Sequence, residues 1–174
     1  LPVEMEAMIA DVTYEGTNYL WNKNFKGKTN VDVDMENMKF SFSDGEFAIN
    51  EFLFDLFGYV ALPADDIEFD MEFMGKDNTF KSILSLVPGI YSESFEGIKT
   101  SGTMDFNGFF KGIYNDKSFP SFDINLNVVD GMFQYPDLPK PVSNINVAMK
   151  VVNTTDNLDL TKIDISAFNM NFGS

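Results

Sequence analysis

The stretch GIKTSGTMDFNGFFKGIYNDKSFPSFDINLNVVDGMFQYPDLPKP, residues 97–141, decides the fold class. Its even positions from 98 to 114 carry Ile98, Met104, Phe106, Phe110 and Tyr114, spaced by Gly102, Gly108 and Gly112. Its odd positions carry Lys99, Ser101, Thr103, Asp105, Asn107 and Lys111. A repeat of two with one apolar and one polar side is that of a strand with a dry and a wet face. Seventeen residues at about 3.3 Å each extend roughly 56 Å, against a usual ~17–20 Å. A strand of that length does not fit a small compact barrel unless it bends, so an elongated sheet with an apolar surface is expected. Beyond a turn at Asn115-Asp116-Lys117, Phe122, Ile124, Leu126 and Val128 alternate with Asp123, Asn125 and Asn127. Asp130-Gly131 then predicts a tight hairpin into a short strand over 132–135, because both positions tolerate positive φ. Pro136, Pro139 and Pro141 predict a crossing loop, since proline cannot donate to a ladder.

The same period extends outward. Val3, Met5, Ala7 and Ile9 share one face before Val12 and Tyr14 take the other, a strand with a slip. Residues 15–27, with Trp21 and Phe25, read as a turn and a short strand. Val31, Val33 and Met35 alternate with acids, and the parity change to Met38, Phe40 and Phe42 predicts a β-bulge near Asn37. Asp44-Gly45 predicts a hairpin into a strand over 47–62, whose nearly continuous apolar run predicts burial on both faces. Ile67, Phe69, Met71 and Phe73 form another alternating strand. Phe80, Ile83, Leu84 and Val87 fall at helical spacing, between an Asn78-Thr79 cap and a Pro88 terminator. Ile145, Val147, Met149 and Val151 make a further strand, and Ile163, Ile165, Phe168, Met170 and Phe172 the last, with one slip. The expectation is a mostly β chain: an elongated, curved antiparallel sheet, a groove or an open sandwich, with one short α-helix around 79–87. It forms a single β-rich domain over residues 1–174.

Composition narrows function. Of 174 residues, none is His or Cys, which removes Ser-His-Asp and Cys-His nucleophilic sites, His or Cys zinc sites and thiol redox chemistry. The net charge of −15, with no basic cluster, argues against nucleic acid and against anionic headgroups held by charge. Hydrophobic and aromatic fractions of 44% and 15%, with 19 Phe, fit a folded chain rich in apolar surface. No apolar stretch is long enough to cross a membrane, and no signal peptide is evident. The chain opens at Leu1 inside an alternating pattern, and the expectation is a slice of a larger protein.

Candidate sites reduce to surfaces. Asp32, Asp34 and Glu36 lack the glycine and terminal glutamate of a calcium loop and read as a solvated strand face. The carboxylates lie on polar faces with no pair singled out, so no catalytic residue, metal or cofactor is assigned and the chain reads as non-enzymatic. Asn153-Thr154-Thr155 matches a glycosylation pattern that short sequences often match by chance. Gly102, Gly108 and Gly112 permit close approach of another backbone, or simple curvature, and curvature is the favoured reading. Met104, Phe106, Phe110, Ile124, Leu126, Val128, Ile145, Val147 and Met149 are the candidate lipid-contacting residues. By residue pattern alone they meet a second sheet in a sandwich, or they line a groove open to acyl chains, and the sandwich is favoured.

Four segments carry a resemblance: FKSILSLVPGIY (80–91), FEGIKTSG (95–102), GFFKGIYND (108–116) and DGMFQYPDLPKPVSNIN (130–146). They resemble the AsmA-like proteins of Bacteroidetes-type bacteria, specifically between about residues 80 and 146 and more weakly from Met38 onward. That family is related to TamB and to the bridge-like lipid transfer proteins. The resemblance implies a periplasmic segment of a protein anchored in the inner membrane, acting without catalysis in outer-membrane biogenesis and lipid transport along a hydrophobic β-groove. It also implies envelope-protein partners, and it shifts the balance from sandwich to groove. The alternative is a self-contained β-sandwich module binding a protein or glycan through loops such as 134–141.

Overall fold

The computed structural model describes residues 1–14, 17–84, 86, 97–137 and 139–173, with side chains throughout except at 8–14, 17–22, 83 and 84. Nine strands form one antiparallel sheet whose spatial order is their chain order. They are β1 (Pro2–Tyr14), β2 (Thr17–Asp34), β3 (Lys39–Ile49), β4 (Phe52–Ala61), β5 (Ile67–Gly75), β6 (Lys99–Tyr114), β7 (Ser121–Gln134), β8 (Val142–Asn153) and β9 (Lys162–Phe172). A five-residue helix, α1 (Phe80–Leu84), lies within the predicted 79–87, and a 3-10 turn spans Leu158–Leu160. Val87 and Pro88, the predicted helix end and terminator, lie outside the described residues, as do Glu15-Gly16 and the side chains of Ile9, Val12, Tyr14 and Trp21. The chain is mostly β, as its alternation predicts. Of the two arrangements left open, the described residues take the open sheet and not the sandwich.

Strand length follows from the uninterrupted alternation. β2 runs 18 residues, where a short strand after a turn was expected, and at about 3.3 Å per residue it reaches roughly 59 Å. The register places the apolar parity of each strand opposite that of its neighbour: Met5 pairs Gly27, Phe47 pairs Phe54, Leu56 pairs Phe73, Phe106 pairs Leu126, and Val128 pairs Val147. All nine strands therefore contribute to one dry face.

Several punctuation signals resolve differently from expectation. Asp44-Gly45 does not turn the chain. β3 runs through it, and the pairing shifts there because Asp44 takes the left-handed conformation (φ 52°) as one extra residue. Asp130-Gly131 likewise sits inside a continuous β7, with Asp130 at φ 51°, so no hairpin leads to a separate strand at 132–135. A bulge makes the same demand for positive φ as a type I′ turn, which is why the dipeptide misleads. The parity change near Asn37 is the reverse case: it is a hairpin turn, not a bulge. There the Asp34 carboxylate accepts from the backbone N–H of Glu36 and Asn37 and from the Asn37 side chain, and Met38 adopts φ 49°. The run over 47–62 is two strands parted at Asn50-Glu51, with Asn50 at φ 53°. The apolar run of β4 is not buried on both faces: Leu53 and Phe57 are exposed at 43% and 39%. The proline loop joins adjacent strands, β7 and β8, and so crosses nothing.

β5 stops at Gly75, short of its neighbours, and Asn78 fills the gap. Its side-chain amide donates to the Leu53 carbonyl (2.7 Å) and its side-chain oxygen accepts from the Leu53 N–H (3.0 Å), while its own carbonyl accepts from the Met104 N–H (3.1 Å). α1 follows and lays Phe80 against the small core of Phe52, Met104 and Val128. Among the described residues no side chain is more than 98% buried. The chain exposes 11222 Å². A compact monomer of 19.6 kDa would expose about 8,600 Å², so the excess of about 30% is that of a single layer.

Candidate functional site

The dry face is built from side chains that only the register brings together. Phenylalanine rings run diagonally from β2 to β7 with centroids 5.1–6.0 Å apart: Phe25, Phe47, Phe54, Phe52, Phe106, Phe73, Phe110 and Phe122. Stacked, tilted and edge contacts of this kind add stability beyond area burial. The nine candidate lipid-contacting residues all lie on this face, on β6, β7 and β8, with Met104 opposite Val128, Phe106 opposite Leu126, and Leu126 opposite Met149. Met104, Val128 and Ile145 are buried (4%, 3% and 5% exposed), so they support the surface rather than form it. Phe106, Phe110, Ile124, Leu126, Val147 and Met149 are half-buried.

The most accessible part of the face lies outside that set. On β9, Ile163, Ile165, Phe168 and Phe172 are 66%, 56%, 63% and 76% exposed, and on β1 Met5 is 42% exposed. The alternation of the last strand carried the signal, but a sandwich would have covered it. The ring ladder through β3 and β4 was illegible for another reason: joining 47–62 into one strand scrambles the parity of Phe47 against Phe52 and Phe54.

Glycines let the strands close up under this face. A Cβ on Gly108 would lie 2.2 Å from the Asp123 carbonyl oxygen, and one on Gly102, at φ 107°, would lie 2.6 Å from the Gly131 Cα. Close backbone approach, not curvature alone, is what these positions serve.

Few polar groups interrupt the dry side. Thr29, 2% exposed, donates its hydroxyl to the Ser43 carbonyl (3.2 Å) beside the Asp44 bulge. Lys23 lies on the same parity of β2, 5% exposed, and burial holds its ammonium pKa below the usual value. Asn153, which heads the glycosylation pattern read as a chance match, is 2% exposed and fully engaged: its amide donates to Asn157 and Thr161, and its oxygen accepts from Thr155. It organises the β8–β9 connection and presents no free amide.

The opposite face carries the charge. Cross-strand ion pairs join Lys26 to Glu6 (3.1 Å), Lys111 to Asp70 (2.8 Å) and Lys150 to Asp123 (2.7 Å), and Lys76, just beyond β5, pairs with Glu46 of β3 (2.6 Å), all well exposed on the lysine side. Such pairs contribute about 0–1 kcal/mol each. A smaller apolar area interrupts this face too, where Leu53, Phe57, Met74 and Phe109 are 38–58% exposed. Among the described residues no group of three acidic side chains is placed to hold a metal ion, and no helix is long and apolar enough to cross a membrane. Comparison of the chain with protein-family models, curated proteins and solved structures finds no match.

Proposed function

We propose that this sheet is a hydrocarbon-binding surface, acting without catalysis as a lipid-handling segment of an AsmA-like protein of the bacterial envelope. The single observation that carries the reading is an apolar face spanning nine strands with, among the described residues, no second sheet over it. A soluble protein rarely leaves so much contiguous apolar surface uncovered unless something else covers it. Burying a sixteen-carbon chain at ~0.8 kcal/mol per CH₂ is worth roughly 12 kcal/mol, and about half that on a face open on one side. Roughly 6 kcal/mol corresponds to a Kd between millimolar and micromolar, weak enough for a chain to exchange along the surface. With a net charge of −15, attraction rests on acyl chains and not on anionic headgroups. The periplasmic site, the inner-membrane anchor of the parent protein and its role in outer-membrane biogenesis belong to this proposal through the resemblance of residues 80–146. Native mass spectrometry of the protein after incubation with zwitterionic phospholipid vesicles tests it. Protein carrying one or more intact phospholipids is expected, and protein that stays lipid-free throughout the titration rules the reading out.

A further inference from the structure

We propose that the charged face, over β4 to β9, is a binding site for a neutral oligosaccharide of β-linked pyranose rings lying across the strands. The inference is independent of what the dry face binds. Over β1 and β2 the charged face is built of ion pairs, Lys26 with Glu6 and Lys28 with Glu4, as a solvated strand face usually is. From β4 onward its composition changes. The register sets Phe57 opposite Glu72, Glu72 opposite Phe109 and Phe109 opposite Asp123. The next row sets Met74 opposite Asn107, Asn107 opposite Asn125 and Asn125 opposite Lys150. Phe57, Met74 and Phe109 are 39%, 58% and 38% exposed. These two rows line an open depression of about 400 Å³. A second, of about 350 Å³, adjoins it: the two share Asn107, Asn125 and Lys150, and the second continues to Asn127, Asp164 and Ser166. An apolar floor with a few convergent polar groups is the usual make-up of a small-molecule site.

The polar groups define the class of ligand. The Asn125 side-chain amide donates to Asn107 Oδ1 (3.3 Å) and to Asp123 Oδ1 (2.9 Å), and Lys150 pairs with Asp123 Oδ2 (2.7 Å). Among the described residues this leaves Asn107 Nδ2, Asn125 Oδ1 and both ends of the Asn127 amide without a protein partner. Open donors and open acceptors thus stand side by side, which suits hydroxyls, since each hydroxyl gives and takes a hydrogen bond. Lys150 is neutralised by Asp123, and the remaining charges, Glu72, Asp105 and Asp164, are acidic. They repel a phosphate, sulfate or carboxylate ligand but accept hydrogen bonds from an uncharged one. Phe57 and Phe109 stand two strands apart, about 9.6 Å across the sheet. Alternate rings of an extended β-1,4-linked chain present the same face at about that repeat. Each phenyl ring then meets the C–H face of one sugar, and Glu72 between them accepts from a hydroxyl.

Calorimetric titration of the whole chain with the uncharged β-1,4-linked hexasaccharides of glucose and of N-acetylglucosamine tests the proposal, with amide shifts followed by NMR. Saturable binding of at least one of the two is expected, together with shifts of the Asn107, Asn125 and Asn127 side-chain amides. Phe109→Ala and Asn107→Ala, both at exposed positions and checked for fold by circular dichroism, should each weaken that binding about tenfold. Absence of binding by either hexasaccharide at millimolar concentration, amide shifts confined to other residues, or an affinity that neither variant changes would each overturn the proposal.

Discussion

Phe106 stands at the junction of the ring ladder, 5.4 Å from Phe52 and 5.1 Å from Phe73, while its neighbour Asp105 faces water. The two residues test the assignment of faces within one peptide unit. Phe106→Asp removes two ring contacts and sets a carboxylate among hydrocarbon, so denaturant unfolding should show a loss of about 3 kcal/mol or more. Asp105→Ser should stay within about 0.5 kcal/mol of the parent. Equal losses would mean that the register is inverted. The acids and lysines of the wet face act on a different variable. Hydrogen bonds from Asn37 hold the Asp34 carboxyl below its ordinary 3.8, and a hydrogen bond and charge from Lys76 hold Glu46 below 4.5. Lys76 and Lys111 are raised above 10.5 chiefly by hydrogen bonds to Glu46 and Asp70. A lowered carboxylate stabilises above its unfolded value and loses that contribution as pH falls through the folded one. A raised lysine stabilises below its unfolded value and loses it as pH rises through the folded one. On the acid side the urea midpoint should therefore decline as pH falls through the folded values of these carboxylates, by a small amount that added salt reduces, because these groups are exposed. A midpoint that rises below pH 3.8 would contradict this.

At the scale of elements, the informative positions are those where a strand admits an extra residue. In β7 the bulge at Asp130 faces Gly102 of β6, and a side chain at 102 would meet the backbone of Asp130 and Gly131 at 2.6–2.8 Å. Gly102→Ala should cost about 1–3 kcal/mol in thermal or denaturant unfolding, whereas Asp130→Gly should be neutral or slightly stabilising. Were Asp130-Gly131 a hairpin tip, Gly102 would face no such backbone and its substitution would cost little. These positions also mark the limit of what alternation conveys. The two-residue period of Met104, Phe106 and Phe110 against Asp105 and Asn107 carries strand, face and length together, and β6 follows it. Asp44-Gly45 and Asp130-Gly131 report only that positive φ is tolerated. Whether the chain then reverses or bulges depends on the partner strand's register, which is set by residues far away in sequence. Asn50-Glu51 reverses the chain without any glycine, so the β3–β4 turn left no mark strong enough to read.

For the whole molecule, the decisive property is that the described residues form one sheet with no second sheet packed on it. Nothing local distinguishes a face that meets a second sheet from one that meets lipid, since Ile, Val, Leu and Phe serve both. That is why the candidate set centred on β6, β7 and β8 and passed over Ile163, Ile165 and Phe168, which are among the most exposed apolar side chains of the dry face. The excess of exposed surface and the exposed apolar side chains of β9 distinguish the two cases. Covalent mapping with a phospholipid that bears a photoreactive group in its acyl chain addresses this most directly. After irradiation and peptide sequencing by mass spectrometry, adducts should concentrate on Val147, Met149, Ile163, Ile165 and Phe168. Labelling confined to Leu53, Phe57, Met74 and Phe109 on the opposite face, or no labelling at all, would contradict the account.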